Sequence, residues 1–416
     1  MQFFIHNFRR YAQLDRSVRN AIAAQFFVQS INTSFFLLLN YYMTDEGYAD
    51  YRIADVLSYR FLSVFCLAFP LGLLIKGRRL RPFFLISTAL LPIFSFLIIW
   101  SVGQHYDQLL DFAAMIWGAA YMCMQITILP YILLNAKPSH HSEAIALSFV
   151  SFSVTICLVG ISHALLTWIL PGLISEESTL KGVAGLAFLG VYFAYRVSPQ
   201  EKLTEKVPLR KIAADYDWGL IFRAVIPTII IAIGAGFTIP VINLFFYHIH
   251  GIPAEVFSIM GSATFLLVAM VMIFMPVIRR NFGYTVAITG FQSVAVLLLL
   301  GLATTEWYRE WEFAAVAAAL FYIFRQPLMN AAGPMTSELV MYYVGPRNQE
   351  IIAALNASIW SGSWFVSTSL FSMLRRMEFR YVSIFLITVI FYVIGIVWYA
   401  RLIRSYRIRT GKTGKA

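Results

Sequence analysis

Twelve stretches of roughly 20 apolar residues follow one another along the chain, more than any water-soluble core of this length could absorb. A helix rising about 1.5 Å per residue needs runs of this length to cross the ~30 Å hydrocarbon layer of a bilayer. They cover 20–43, 53–75, 82–103, 109–134, 144–170, 179–196, 220–247, 254–278, 284–304, 312–341, 350–374 and 380–402. Lipid offers no partner to a backbone N–H or C=O, so each run is expected to form an α-helix. Charged residues are 13% of the 416 and hydrophobic ones 59%, against roughly 25% and 45–50% in a soluble domain. The expected fold class is all-α, a polytopic membrane protein. The sixth run is the weakest, short and punctuated by glycine.

The longest polar connection, SPQEKLTEKVPLRKIAADYDW at 198–218, alternates in charge as a solvated linker does. It divides the chain into an N-terminal six-helix bundle (1–197), the linker, and a C-terminal six-helix bundle (219–416) with a basic tail. The net charge of +11 gathers at helix ends rather than on one face, which argues against a nucleic-acid partner and for an orienting bias. With both termini cytoplasmic, the inner segments take Arg9, Arg10, Arg16, Arg19, Lys76, Arg78, Arg79, Arg81, Lys137, Arg279, Arg280, Arg347 and the tail. The outer loops keep Arg52, Lys181, Arg309 and a cluster, Arg375, Arg376 and Arg380, that the rule leaves without an explanation. The expected location is a membrane crossed many times, which is the inner membrane if the cell is bacterial. The basic, amphipathic start leads into a helix too long for a signal sequence, so the first helix is expected to be retained. Cys66, Cys123 and Cys157 lie in apolar runs as small packing residues.

Several chemistries find no footing. There is no G-x-x-x-x-G-K-[ST] phosphate cradle, so an ATP-driven pump is not expected. His140–His141 and His248/His250 stand in loops without nearby cysteines or paired acids, which disfavours a metal site. No Ser/His/Asp set converges. Neither an enzyme nor a cofactor is expected.

The two halves echo each other. NYYMTDEGYADYRIADVLSYRFL followed by AFPLGLLIKGRR has the order of FFYHIHGIPAEVFSIMGSATFLL followed by IFMPVIRRNFG: long helix, short Gly loop, helix with Pro near its inner end, basic turn. KPSHHSEAIALSFVS likewise matches GPRNQEIIAALNAS. Such repetition marks transporter folds. With FRQPLMNAAGPMTSELVMYYVGPRNQEIIAALNASIWSGSWF over the tenth and eleventh helices, the chain resembles the major facilitator superfamily over nearly all its length, with no subfamily indicated. The superfamily loop pattern G-x-x-x-D-R-x-G-R-R stands here as Gly72-Leu-Leu-Ile-Lys-Gly-Arg-Arg-Leu-Arg81, with Lys76 where an acid is usual. The departure puts in doubt the inner-gate charge interaction in which Lys76, Arg78 and Arg79 would take part. The resemblance implies two pseudo-symmetric six-helix bundles and alternating access to a central site lined mainly by the first, fourth, seventh and tenth helices.

Polar residues can be placed on those helices independently. Gln25, Gln29, Asn32 and Asn40, with Phe36 between, recur at intervals of three and four, giving one face of the first helix. That stripe favours a cavity wall, although interhelical hydrogen bonds account equally well for any single member. Trp117, Tyr121 and Gln125 repeat every four residues on the fourth helix, a pattern of aromatic packing or of a ligand surface. Thr238, Asn243 and Tyr247 lie beside Gly234, Gly236 and Pro240, where the seventh helix could be broken or closely packed. Asn356, Trp360 and Trp364 give the eleventh a mixed surface.

Arginine within such helices is costly, ~2.5–3.5 kcal/mol at the bilayer centre, and marks a functional site by default. Arg325 stands mid-way along the tenth helix and Arg60 about two turns inside the second. Both suit a carboxylate or phosphate, or a structural ion pair, for which Asp55, Glu255 and Glu338 are the candidate acids. A cavity role is favoured for Arg325; for Arg60 a structural pair, with Asp55 near in sequence, is favoured slightly over a cavity role. Asn330 is expected to hold neighbouring backbone. His163 is the candidate proton group, or a hydrogen-bonded packing residue. The leading expectation is a monomeric, proton-linked permease for an anionic or zwitterionic solute, with uniport open; the alternatives are efflux of amphipathic drugs and a non-transporting receptor or scaffold.

Overall fold

A computed structural model describes residues 14–75, 78–137, 141–198, 217–345 and 349–410. Among these the chain is helical throughout, with twelve helices. They are α1 (Arg16–Asp45), α2 (Asp50–Leu74), α3 (Arg81–Gly103), α4 (Asp107–Asn135), α5 (His141–Ile169) and α6 (Glu176–Tyr195). After the linker come α7 (Trp218–His250), α8 (Ala254–Tyr284), α9 (Phe291–Thr304), α10 (Ala314–Val344), α11 (Gln349–Arg376) and α12 (Tyr381–Thr410). Nine helical spans among the described residues are long and apolar enough to cross a bilayer. The weak sixth run is a helix begun by a reciprocal cap: Ser178 N donates to Ser175 Oγ at 3.2 Å, and Ser175 N to Ser178 Oγ at 2.9 Å. At the other extreme α12 runs to Thr410, past the apolar run ending at 402. Hydropathy marks where lipid demands a helix, whereas the helix itself continues into the basic tail, where Arg407 Nη2 donates to Thr285 Oγ1 at 2.8 Å.

The chain divides into two compact units, one of Met1–Glu46 with Tyr59–Ile212 and one of Gly47–Ser58 with Ala213–Ala416. The first turns of α2 thus group with the second unit and the remainder with the first. Inside the first unit α1 packs on α4, α5 and α6, and α3 on α4 and α6. Inside the second, α7 packs on α10, α11 and α12, and α9 on α10 and α12. Advancing every helix number by six turns one set of neighbours into the other. The pseudo-symmetry seen as sequence echoes is therefore a repeated packing scheme. Most of the 198–218 linker lies outside the described residues.

Helices in lipid gain little from apolar burial against one another, so close backbone approach at small residues holds them together. At Gly236 of α7 an added Cβ would stand 2.6 Å from Ser367 Cβ and 3.1 Å from Trp364 Cα of α11. Ser367 Oγ also donates to the Ile233 carbonyl at 2.6 Å. Three residues after Gly236, Ile239–Val241 form a 3-10 turn at Pro240, which has no N–H to continue the α-helical ladder. Both alternatives for this stretch of α7 hold: the helix is interrupted, and its glycine serves close packing. A second interruption is the π turn Phe35–Leu39 in α1.

Candidate solute site

The polar stripe of α1 meets α2 and α4 inside the first unit. Arg60 Nη2 donates to Asn32 Oδ1 at 2.5 Å, and Asn32 Nδ2 to Gln29 Oε1 at 3.2 Å. From the other direction Gln125 Nε2 donates to the Tyr121 hydroxyl, which donates to the same Gln29 Oε1 at 3.4 Å. Gln25 Oε1 accepts from Ser148 Oγ at 2.7 Å. Gln25, Gln29 and Asn32 are buried, whereas Arg60, Tyr121 and Gln125 are half-buried. The stripe therefore backs a short surface of one cation, one phenol and one amide.

Aromatic rings fix the cation. The Arg60 guanidinium carbon stands 4.0 Å from the Trp117 ring centroid and 6.0 Å from that of Tyr121. Trp117 stacks on Phe35 at 5.4 Å and on Tyr121 at 5.6 Å, while its indole N–H donates to Ser95 Oγ at 2.9 Å. Such cation–π contacts contribute roughly 0.5–2 kcal/mol and orient the guanidinium plane. The α2–α4 contact below them is tight: a Cβ on Gly118 would lie 2.4 Å from the Arg60 carbonyl oxygen and 2.3 Å from Ser63 Oγ.

Among the described residues no carboxylate forms an ion pair with Arg60. The expected pair with Asp55 does not form: Asp55 is taken by Arg376, to which its Oδ2 is hydrogen-bonded. Five positions along a helix place two side chains about 140° apart, so Asp55 and Arg60 leave α2 in different directions.

In the second unit Arg325 is 1% exposed. Its Nη1 donates to Gln326 Oε1 at 3.0 Å and its Nη2 to the Tyr392 hydroxyl at 3.2 Å, and its Nε has no hydrogen-bond partner. It too lacks an acid partner among the described residues, but unlike Arg60 it is enclosed by protein. Asn330 Nδ2 donates to the Gln326 carbonyl at 2.9 Å, holding backbone as expected. Asn243 Oδ1 is turned to the Leu244 N–H at 3.1 Å, beside the 3-10 turn. Asn356 and Trp360 are half-buried, and Trp360 meets Trp364 edge-on at 6.2 Å.

The sequence profile described as Major Facilitator Superfamily matches residues 21–368. The chain belongs to that superfamily. No curated protein matches it. Among solved structures, a bacterial homologue of the iron transporter ferroportin aligns over 93% of this chain and 98% of its own, with a TM-score of 0.74 and 10% identity. The nucleoside transporter NupG aligns over 93% and 99%, at 0.68 and 15%. A D-xylose–proton symporter aligns over 92% and 95%, at 0.67 and 13%. At such identities the likeness is one of fold. This superfamily member is a multi-pass membrane protein and a secondary transporter of a small solute, not an enzyme.

The gating candidates of this transporter are distributed as follows. Lys76 lies outside the described residues, and Arg78 and Arg79 are exposed. Glu338 pairs with Arg279 at 2.7 Å, which makes it a partner within the second unit. His163 is 1% exposed, with Nδ1 2.9 Å from Thr179 Oγ1, the geometry of the packing alternative. The cluster that charge counting left unexplained has partners: Arg376 holds Asp55, and Arg375 holds Asp50 with Nη2 2.9 Å from Oδ2. Sequence reasoning missed Ser95, Ser148 and Tyr392, single hydroxyls in apolar helices that no periodicity distinguishes. It also missed Asp50, which reads as an ordinary helix-starting acid.

The two ion pairs differ in depth. Asp50 is 7% exposed, while Arg376 keeps 56% of its side-chain surface in solvent. Asp50→Ala is therefore expected to lower the unfolding stability of purified protein by about 3 kcal/mol, leaving Arg375 without its acid. Asp55→Ala should cost under about 1 kcal/mol. Thermal melts of the two variants beside the wild type check the order.

Proposed function

We propose that this transporter moves a small anionic solute by alternating access, with Arg60 as the group that binds the solute's carboxylate or phosphate. The observation that carries the proposal is a half-buried guanidinium with no acid among the described residues, held face-on to Trp117 and tethered through one nitrogen to Asn32. One Arg60 donor is engaged by Asn32, which leaves N–H groups for a bidentate contact with an anion. Tyr121 and Gln125 stand beside them as neutral hydrogen-bonding groups for the rest of the solute. A lipophilic cation would meet a guanidinium on the aromatic face it needs, which speaks against efflux of cationic drugs. Coupling to protons is part of the proposal, because an anion carried inward against a negative-inside potential needs a compensating cation.

Thermal-shift measurements on purified protein with a panel of carboxylates, phosphates, neutral sugars and lipophilic cations test this directly. Anions should raise the melting temperature and cations should not. Flux of a stabilising anion into liposomes should then rise when a pH gradient is imposed. Stabilisation by cations alone would overturn the anion assignment, and gradient-independent flux would overturn the coupling.

A further inference from the structure

Asp50 opens α2 at the centre of a network drawn from three other helices of the second unit. Its Oδ2 accepts from Arg375 Nε at 3.1 Å and Nη2 at 2.9 Å, and from the hydroxyl of Tyr381. Its other oxygen, Oδ1, faces His248 Nδ1 at 3.2 Å. Tyr381 is 1% exposed and its hydroxyl is also 3.4 Å from His248 Nδ1. Arg375 lies over the Tyr381 ring at 4.5 Å and donates to the Phe379 carbonyl at 2.6 Å. The first turn of α2 is thereby tied to the end of α7, the end of α11 and the start of α12.

One member of this set, His248, is a base that can take up a proton. Its Nδ1 meets the carboxylate oxygen that Arg375 leaves free. Arg375 and His248 thus approach Asp50 from its two oxygens. A proton added to His248 would lie in direct contact with the carboxylate, Nδ1 standing 3.2 Å from Oδ1, where the attraction is strongest. The other charged and titratable groups nearby are placed otherwise. Glu306 accepts from the Val382 N–H at 2.5 Å, His250 bonds Thr305 at 3.0 Å, and Asp55 is held by Arg376.

We propose that Asp50, His248, Arg375 and Tyr381 form a proton-binding latch, in which protonation of His248 tightens its grip on Asp50 and clamps residues 47–58 to the second unit. The latch requires the superfamily fold but not an anionic solute, and it stands if Arg60 binds something else. Acidification tightens it and alkalinisation loosens it. Because the start of α2 is held while the remainder belongs with the first unit, the latch offers protons a direct influence on that helix without a carboxylate at mid-membrane.

Hydrogen–deuterium exchange of the full-length protein in nanodiscs reads the latch without any solute. After correction for the intrinsic pH dependence of exchange, amides 52–58 should be about fivefold better protected at pH 5.5 than at pH 7.5, the gain from making one hydrogen bond ionic at both ends. His248→Gln and Asp50→Asn should remove that difference, and His250→Gln should keep it. Equal wild-type protection at the two pH values, or greater protection at the higher one, overturns the proposal even if no variant folds. So does a pH effect that survives His248→Gln or disappears with His250→Gln.

Discussion

Arg60→Gln is expected to cut anion transport by about a hundredfold or more, and to erase the anion-induced rise in melting temperature. Removing one partner of a buried, hydrogen-bonded charge pair costs roughly 2–5 kcal/mol, which is the interaction a bound anion would lose here. The protein itself should fold well, because Arg60 has no acid among the described residues to be left unpaired. Arg60→Lys should retain part of the flux with a raised half-saturation concentration, since a point charge replaces a planar fork. Liposome uptake of an anion found to stabilise the wild type measures both. Undiminished uptake by Arg60→Gln would remove the solute site from the first unit.

The second large effect is expected at Gly118. Gly118→Ala places a methyl group 2.4 Å from the Arg60 carbonyl oxygen and 2.3 Å from Ser63 Oγ. Ser63 can rotate, but the carbonyl is backbone and can yield only if α2 and α4 separate. Overpacking of this kind costs about 3 kcal/mol. The displacement falls on the residue whose side chain holds the cation, so stability and anion binding should drop together. Gly333, where an added Cβ meets nothing within 4 Å, supplies the control: Gly333→Ala should leave both unchanged. Thermal melts of the two variants with and without anion decide it.

The fold was legible because lipid permits few alternatives. Twelve apolar runs of spanning length had to become helices, and the echo between the halves appears as neighbour pairs repeated six helices later. The α1 stripe was legible for the same reason: amides at a helical interval demand partners that lipid cannot give. Gln25, Gln29 and Asn32 do find partners, on α5 and among themselves, Arg60 and Tyr121. Pairings between distant segments were not legible. Asp55 is near Arg60 in sequence and on a different face in space, whereas Arg376, 321 residues away, is its partner. Charge counting flagged Arg375 and Arg376 as anomalous, and their acids explain why they are tolerated. Arg325 and Arg60 looked equivalent as isolated arginines. Only the folded structure separates them, since enclosure by Gln326 and Tyr392 is a property of packing.

Within the first unit, Gln29 Oε1 is where two lines of donors end, one starting at Arg60 and the other at Gln125. Glutamate has almost the shape of glutamine, and in that position it would accept the same two hydrogen bonds while carrying a full negative charge. The first unit would then supply its own counterion, and an anion would have to compete with it. Exchange of one amide nitrogen for oxygen is therefore a short route by which a descendant of this protein could lose the preference for anions proposed above, with its helices left as they are.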